Sequence, residues 1–148
     1  MLEVNHINRC GTTLSTEELA ISTLQLAKLF DQTIRYLPMR QVSLNPIFEP
    51  YSSAVGGADA DFIFDSTLID LKSTSKLAYS TEDVAQIFGY AAMALATGKE
   101  LERCGIYSAR FGVTALIEIS PVVKEFLSEY LSAILEAAEH TGGNTRET

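Results

Sequence analysis

The chain has 148 residues, 47% of them hydrophobic, which matches one domain with a single real core and implies no second one. It lacks the roughly eighteen-residue apolar run that a membrane helix needs. Its net charge of −8 argues against any partner held mainly by massed Lys and Arg, as a nucleic-acid backbone is.

Cys10 and Cys104 are too few and too far apart for a disulfide framework or a Cys-x-x-Cys metal site. The N-terminal stretch MLEVNHINRCG lacks the charged-then-apolar layout of a signal peptide, so a cytoplasmic protein with no membrane partner is expected. In chain order, Ser15 and Glu18 have capping-box spacing. Leu19, Thr23, Leu24, Ala27, Phe30 and Ile34 then recur at helical intervals, which predicts a helix over 15–36. Residues 39–53, with Pro46 and Pro50, read as irregular chain with a short strand at 41–44.

The stretch 55–72, VGGADADFIFDSTLIDLK, reads as a hairpin turning at Asp65-Ser66. That register sets Asp61 opposite Asp70 and Asp59 opposite Lys72, all four on one face, with Ala60, Phe62, Phe64, Ile69 and Leu71 forming a core face behind them. Like charges facing each other on a sheet repel, and a divalent cation removes the conflict. Asp61 and Asp70 are hard oxygen donors suited to Mg2+ or Mn2+, and no His or Cys lies nearby to suggest zinc. Asp59 is the runner-up ligand, or a partner that holds Lys72. Lys72 itself is placed to orient water or to stabilise charge on a phosphate. The plain alternative is an exposed hairpin of mixed charge in which Lys72 neutralises Asp59 and Asp70.

After Lys72, a Ser/Thr-rich loop leads to a helix capped by Ser80 or Thr81 and ending near Gly98. Gln86 and Tyr90 share one of its faces, while Val84, Ile87, Phe88, Ala91 and Leu95 form the buried side. Residues 105–109 and 113–119 alternate as a second hairpin across Arg110-Phe111-Gly112. Gly105-Ile106-Tyr107 spells half of a GIY-YIG signature whose second half is missing, so it is read as a strand. Pro121 starts a last helix with an apolar stripe from Val123 to Leu135 that closes the core and has surplus for a homodimer. The domain is expected to span 1–140, with 141–148 a disordered tail.

The order of Asp61, an apolar strand, a turn, and a second strand ending Asp70-x-Lys72 resembles the PD-(D/E)XK nuclease superfamily. Gln86-Ile-Phe-Gly-Tyr90 is similar to the Gln-x-x-x-Tyr motif of its RecB-like and exonuclease-like branches. The stretch from about 44 to 119 also looks like bacterial members of that superfamily with no assigned role. The resemblance implies an α/β fold with a restriction-endonuclease-like core, a mixed and mostly antiparallel central sheet flanked by helices. It implies metal-dependent phosphodiester hydrolysis of nucleic acid, with DNA expected. Asp61, Asp70, Lys72 and Gln86 would be catalytic, Tyr90, Ser73 and Arg110 would contact substrate, and Mg2+ or Mn2+ would be the cofactor. Such nucleases usually add a Glu from a helix before the hairpin, for which Glu3, Glu17 and Glu18 compete, with Glu18 as the candidate. The name-giving proline is absent, with Ala58 and Ala60 in its place.

The acidic charge implies weak binding, a short or single-stranded substrate, or a basic protein partner that supplies the affinity. It also keeps open a second class of function, a catalytically inactive nuclease-like scaffold acting as a binding or assembly module.

Overall fold

Ser15 opens the first helix as its spacing to Glu18 requires: its hydroxyl accepts the Glu18 N–H at 3.2 Å, and the Glu18 carboxylate accepts the Ser15 N–H at 2.9 Å. The computed structural model describes residues 15–34 and 41–142. Within them the chain runs α1 (Thr16–Ile34), β1 (Val42–Leu44), α2 (Tyr51–Ala54), β2 (Phe62–Phe64), β3 (Thr67–Lys72), α3 (Thr81–Ala96), β4 (Arg103–Ser108), β5 (Val113–Glu118) and α4 (Pro121–Gly142). The expected helix end at 35–36 and the tail at 143–148 lie outside the described residues. Residues 141–142 belong to α4, whose last turn carries a Thr141 hydroxyl donating to the Ala137 carbonyl at 2.9 Å, so the expected start of the tail is corrected there.

The strands form one five-stranded sheet in sequence order, β1-β2-β3-β4-β5. Its β1–β2, β2–β3 and β4–β5 pairs are antiparallel, and β3–β4 is parallel. The architecture is therefore α/β with a mixed, mostly antiparallel sheet and flanking helices. A parallel pair cannot be closed by a tight turn, and here α3 makes the crossover. The β2–β3 register, Phe62↔Ile69 through Phe64↔Thr67, is the one the hairpin alternation predicts. Asp65 takes φ 49° in its turn, a conformation Asp tolerates better than most residues.

The central strands β3 and β4 are buried on both faces, while the edge strands β1 and β5 are largely exposed. Ile63, Leu68, Cys104 and Ile106 pack under α3 and α4 in the larger core, against Ile87, Ala91, Leu127 and Leu131. Phe64, Ile69, Tyr107 and Ala109 form a smaller core with Phe62, Leu71 and the Leu26 and Phe30 side chains of α1. The Phe30 ring lies 5.3 Å from Tyr107 and 5.5 Å from Phe62, centroid to centroid.

This corrects the expected core face in two ways. Phe62, Phe64, Ile69 and Leu71 do share a face, but it is the lesser core, and the Asp70 face carries the greater one. Ala60 leaves that group for the larger core, because β2 begins only at Phe62 and the period of two stops there.

The β4–β5 pair closes tightly at Gly105, where any Cβ would collide with the Ala115 carbonyl. Among the described residues no helix is long and apolar enough to cross a membrane.

Candidate active site

Asp70 and Lys72 are two residues apart on β3, so their side chains rise from the same face, the one α3 covers. The first turn of α3 fixes what they meet. Ser80 is its N-cap: the hydroxyl accepts the Asp83 N–H at 3.1 Å, and the Asp83 Oδ2 accepts the Ser80 N–H at 2.9 Å. The other oxygen of the same carboxylate, Oδ1, stands 3.3 Å from the Lys72 Nζ. One turn along, Gln86 Oε1 accepts from Lys72 Nζ at 2.6 Å, and Gln86 Nε2 donates to the Tyr90 hydroxyl at 2.6 Å. A continuous polar chain thus runs Asp70, Lys72, Gln86, Tyr90, with Asp83 as a branch.

Asp70 is the buried member, its side chain only 6% exposed. The Lys72 Nζ lies 3.0 Å from its Oδ2 but off the line of a hydrogen bond, so charge holds the pair and Oδ2 has no aligned donor. Burial pushes the Asp70 carboxyl above its usual range. Lys72 opposes this, and the neighbouring charges of Asp61 and Asp83 push it further up. For Lys72, burial favours the neutral amine, but contact with Asp70 and Asp83 outweighs it and the ammonium is held above its ordinary value. The backbone of Ser80 is the main cause that holds Asp83 below its ordinary value. Burial raises the Tyr90 hydroxyl; Gln86 opposes that, while Asp70 and Asp59 add to it.

Asp61 stands where the β2–β3 ladder stops. Beyond the last pair, Phe62↔Ile69, its Oδ2 accepts the Leu71 N–H at 2.6 Å, which ties the Asp61 carboxylate to the backbone next to Asp70. The hairpin therefore brings Asp61 near Asp70. Asp59 is displaced from its expected place opposite Lys72: it is exposed, in an isolated antiparallel bridge with Ile47, and the ion pairs of Lys72 are with Asp70 and Asp83. The reason is the same loss of strand period before Phe62.

Glu18 is likewise not brought to the cluster. Its carboxylate closes the α1 cap on Ser15, whose backbone holds it below its ordinary value, and α1 packs on the opposite face of the sheet. Glu17 is exposed in the same turn, and Glu3 lies outside the described residues. Ser73 and Arg110 are both exposed and in contact, with the Arg110 Nε donating to the Ser73 carbonyl at 3.1 Å.

Among the described residues there is no group of three or more His, Cys, Asp or Glu side chains placed to hold a metal ion. Asp61 and Asp70 supply two hard oxygens, the donor chemistry of Mg2+ or Mn2+, which keep several waters in their shells. The Lys72 ammonium already stands 3.0 Å from the buried Asp70 Oδ2, so an ion held there would share that oxygen with it. A cavity of about 940 Å³ opens at the far end of β3, beside Ser43, Asp65, Lys99 and Arg103, and shares no residue with this cluster.

Three neighbours of the site escape a reading of the sequence. Asp83 carries a signal, since the Ser80-x-x-Asp83 spacing both selects Ser80 over Thr81 as the cap and places a carboxylate at the helix start. Ser108, directly across from Lys72 in the parallel ladder, and Tyr79, whose hydroxyl lies 2.8 Å from the Ser108 hydroxyl, carry none. No family model matches the chain, and neither does any curated protein or any solved structure.

Proposed function

We propose that the chain is a Mg2+- or Mn2+-dependent nuclease of the PD-(D/E)XK type, hydrolysing phosphodiester bonds of nucleic acid, DNA in the first instance. The observation that carries this reading is the buried carboxylate of Asp70, with the Lys72 ammonium 3.0 Å from its Oδ2 and the charge of Asp61 close enough to push it up. A hairpin followed by a helical crossover to a parallel strand supports a restriction-endonuclease-like core. Asp61 and Asp70 would hold the ion, which when bound lowers the pKa of water and polarises the phosphate. Lys72, gripped by Asp83 and Gln86, places a positive charge where negative charge grows on the phosphate. Tyr90 braces Gln86, and Ser73 with Arg110 lies on the path of the substrate strand.

A second reading has its own observation. Lys72 is held at once by Asp70, Asp83 and Gln86, an arrangement that also serves simply to tie β3 to α3 in an inactive scaffold that binds or assembles. Incubation with Mg2+ and plasmid, linear and single-stranded DNA and RNA separates the two. The nuclease reading expects metal-dependent cleavage by the wild type and none by Asp70→Ala of unchanged circular dichroism. Cleavage that survives Asp70→Ala rejects the assignment, and metal binding without cleavage of any substrate favours the scaffold.

A further inference from the structure

The turn joining β4 to β5 is built from the residue that flanks Lys72. The Ser108 carbonyl accepts the N–H of Phe111 at 3.1 Å and of Gly112 at 2.9 Å, so one residue closes the turn twice. Gly112 takes φ 62°, the left-handed conformation that such a turn asks of its last residue. Ser108 also pairs with Lys72 across the parallel ladder, and its hydroxyl meets Tyr79. Two further bonds pin the turn to the end of β3: the Ala109 N–H donates to the Lys72 carbonyl at 2.9 Å, and the Arg110 Nε to the Ser73 carbonyl at 3.1 Å. The turn is thus held rigidly beside the candidate site, at the carboxyl ends of the two parallel strands, where ligands of α/β sheets collect.

What this turn presents outward is Phe111, 41% exposed, next to an exposed Arg110. A Phe left in water forgoes much of the roughly 1.5–3 kcal/mol that burying its ring would contribute. We infer that the Arg110-Phe111 turn is a platform for single-stranded nucleic acid, a base stacking on Phe111 while Arg110 meets the adjoining phosphate. The substrate class rests on the phosphodiesterase reading above. The choice of single over double strand follows from two facts. A chain of charge −8 gains little from phosphates, so stacking must supply the affinity. A paired base keeps its faces inside the duplex, and only an unstacked one reaches the ring.

The test is fluorescence anisotropy in EDTA, with a labelled mixed-sequence oligonucleotide offered single-stranded and as a duplex. The single strand is expected to bind more tightly. Phe111→Ala, checked for fold by circular dichroism, is expected to weaken single-strand binding roughly 5- to 150-fold, and Phe111→Trp to restore it. Arg110→Ala is expected to flatten the salt dependence, which Phe111→Ala leaves unchanged. Equal affinity for duplex, undetectable single-strand binding, indifference to Phe111→Ala, or no rescue by Trp each overturns the platform. Because EDTA silences hydrolysis, single-strand binding without cleavage on adding Mg2+ overturns the nuclease reading alone. Cleavage with affinity indifferent to Phe111→Ala overturns the platform alone.

Discussion

Lys72 on β3 and Asp83 in the first turn of α3 stand 3.3 Å apart, and the Asp83 carboxylate that holds the ammonium also closes the helix cap on Ser80. The start of the helix and the candidate site are therefore one unit. Loosening the cap should loosen Lys72.

Ser80→Ala removes the hydroxyl that caps α3 and should lower stability by about 1 kcal/mol in urea denaturation. Under the proposed function it should also lower kcat more than it raises KM, because it disturbs the group that meets growing charge and leaves substrate contacts in place. An unchanged kcat with the expected loss of stability would separate the cap from the chemistry.

Asp70 makes a prediction about pH in metal-free protein. Its carboxyl is raised in the folded state above the ordinary 3.8, mainly by burial, so the folded chain holds that proton more tightly than the unfolded one. Stability from this group is present below the ordinary value and is lost as pH rises through the raised one. Asp70→Asn should therefore gain stability relative to wild type at neutral pH, and the difference should shrink on acidification toward the ordinary carboxyl value. Urea titrations of both proteins in EDTA at several pH values measure it. A difference independent of pH would contradict the shift.

Two glycines separate packing from backbone freedom. At Gly105 a Cβ would strike the Ala115 carbonyl, so Gly105→Ala should destabilise by about 1–3 kcal/mol, through forced separation of β4 and β5. At Gly89, inside α3, a Cβ would meet only the Ile134 Cδ1 at 4.0 Å, and Gly89→Ala should stabilise by about 0.5–1 kcal/mol. Thermal melts of the two variants should move in opposite directions.

Cys104 is fully buried, and burial pushes its thiol up to about 11. In a Cys10→Ser variant, a thiol reagent at mildly alkaline pH should fail to label the folded protein and should label it in denaturant. Fast labelling of the native form would mean that β4 is open to solvent.

Much of this arrangement was legible in the residues themselves. The β2–β3 register follows from a turn at Asp65-Ser66 between two apolar runs, and the start of α3 follows from a capping residue at Ser80 or Thr81, a local signal. What was not legible is non-local. The hairpin carries apolar side chains on both faces, Ile63 and Leu68 behind Asp70 as well as Phe62 and Ile69, so alternation cannot say which side bears the main core. The partnership of Lys72 with Ser108 depends on a parallel ladder reached only after a whole helix, and it brings Tyr79 in with it. Glu18 had two roles available, metal ligand and cap, and the nearer partner, Ser15, claimed it. Asp59 lies outside the alternation, because β2 begins only at Phe62 and the chain before it pairs with Ile47 instead.

The most direct measurement is a crystal soaked in Mn2+ with anomalous difference density collected at the manganese edge. The account predicts a peak coordinated by Asp61 and Asp70 that disappears in Asp70→Asn. A saturating soak that leaves the space between these two carboxylates without a peak, or puts the ion elsewhere, would contradict it.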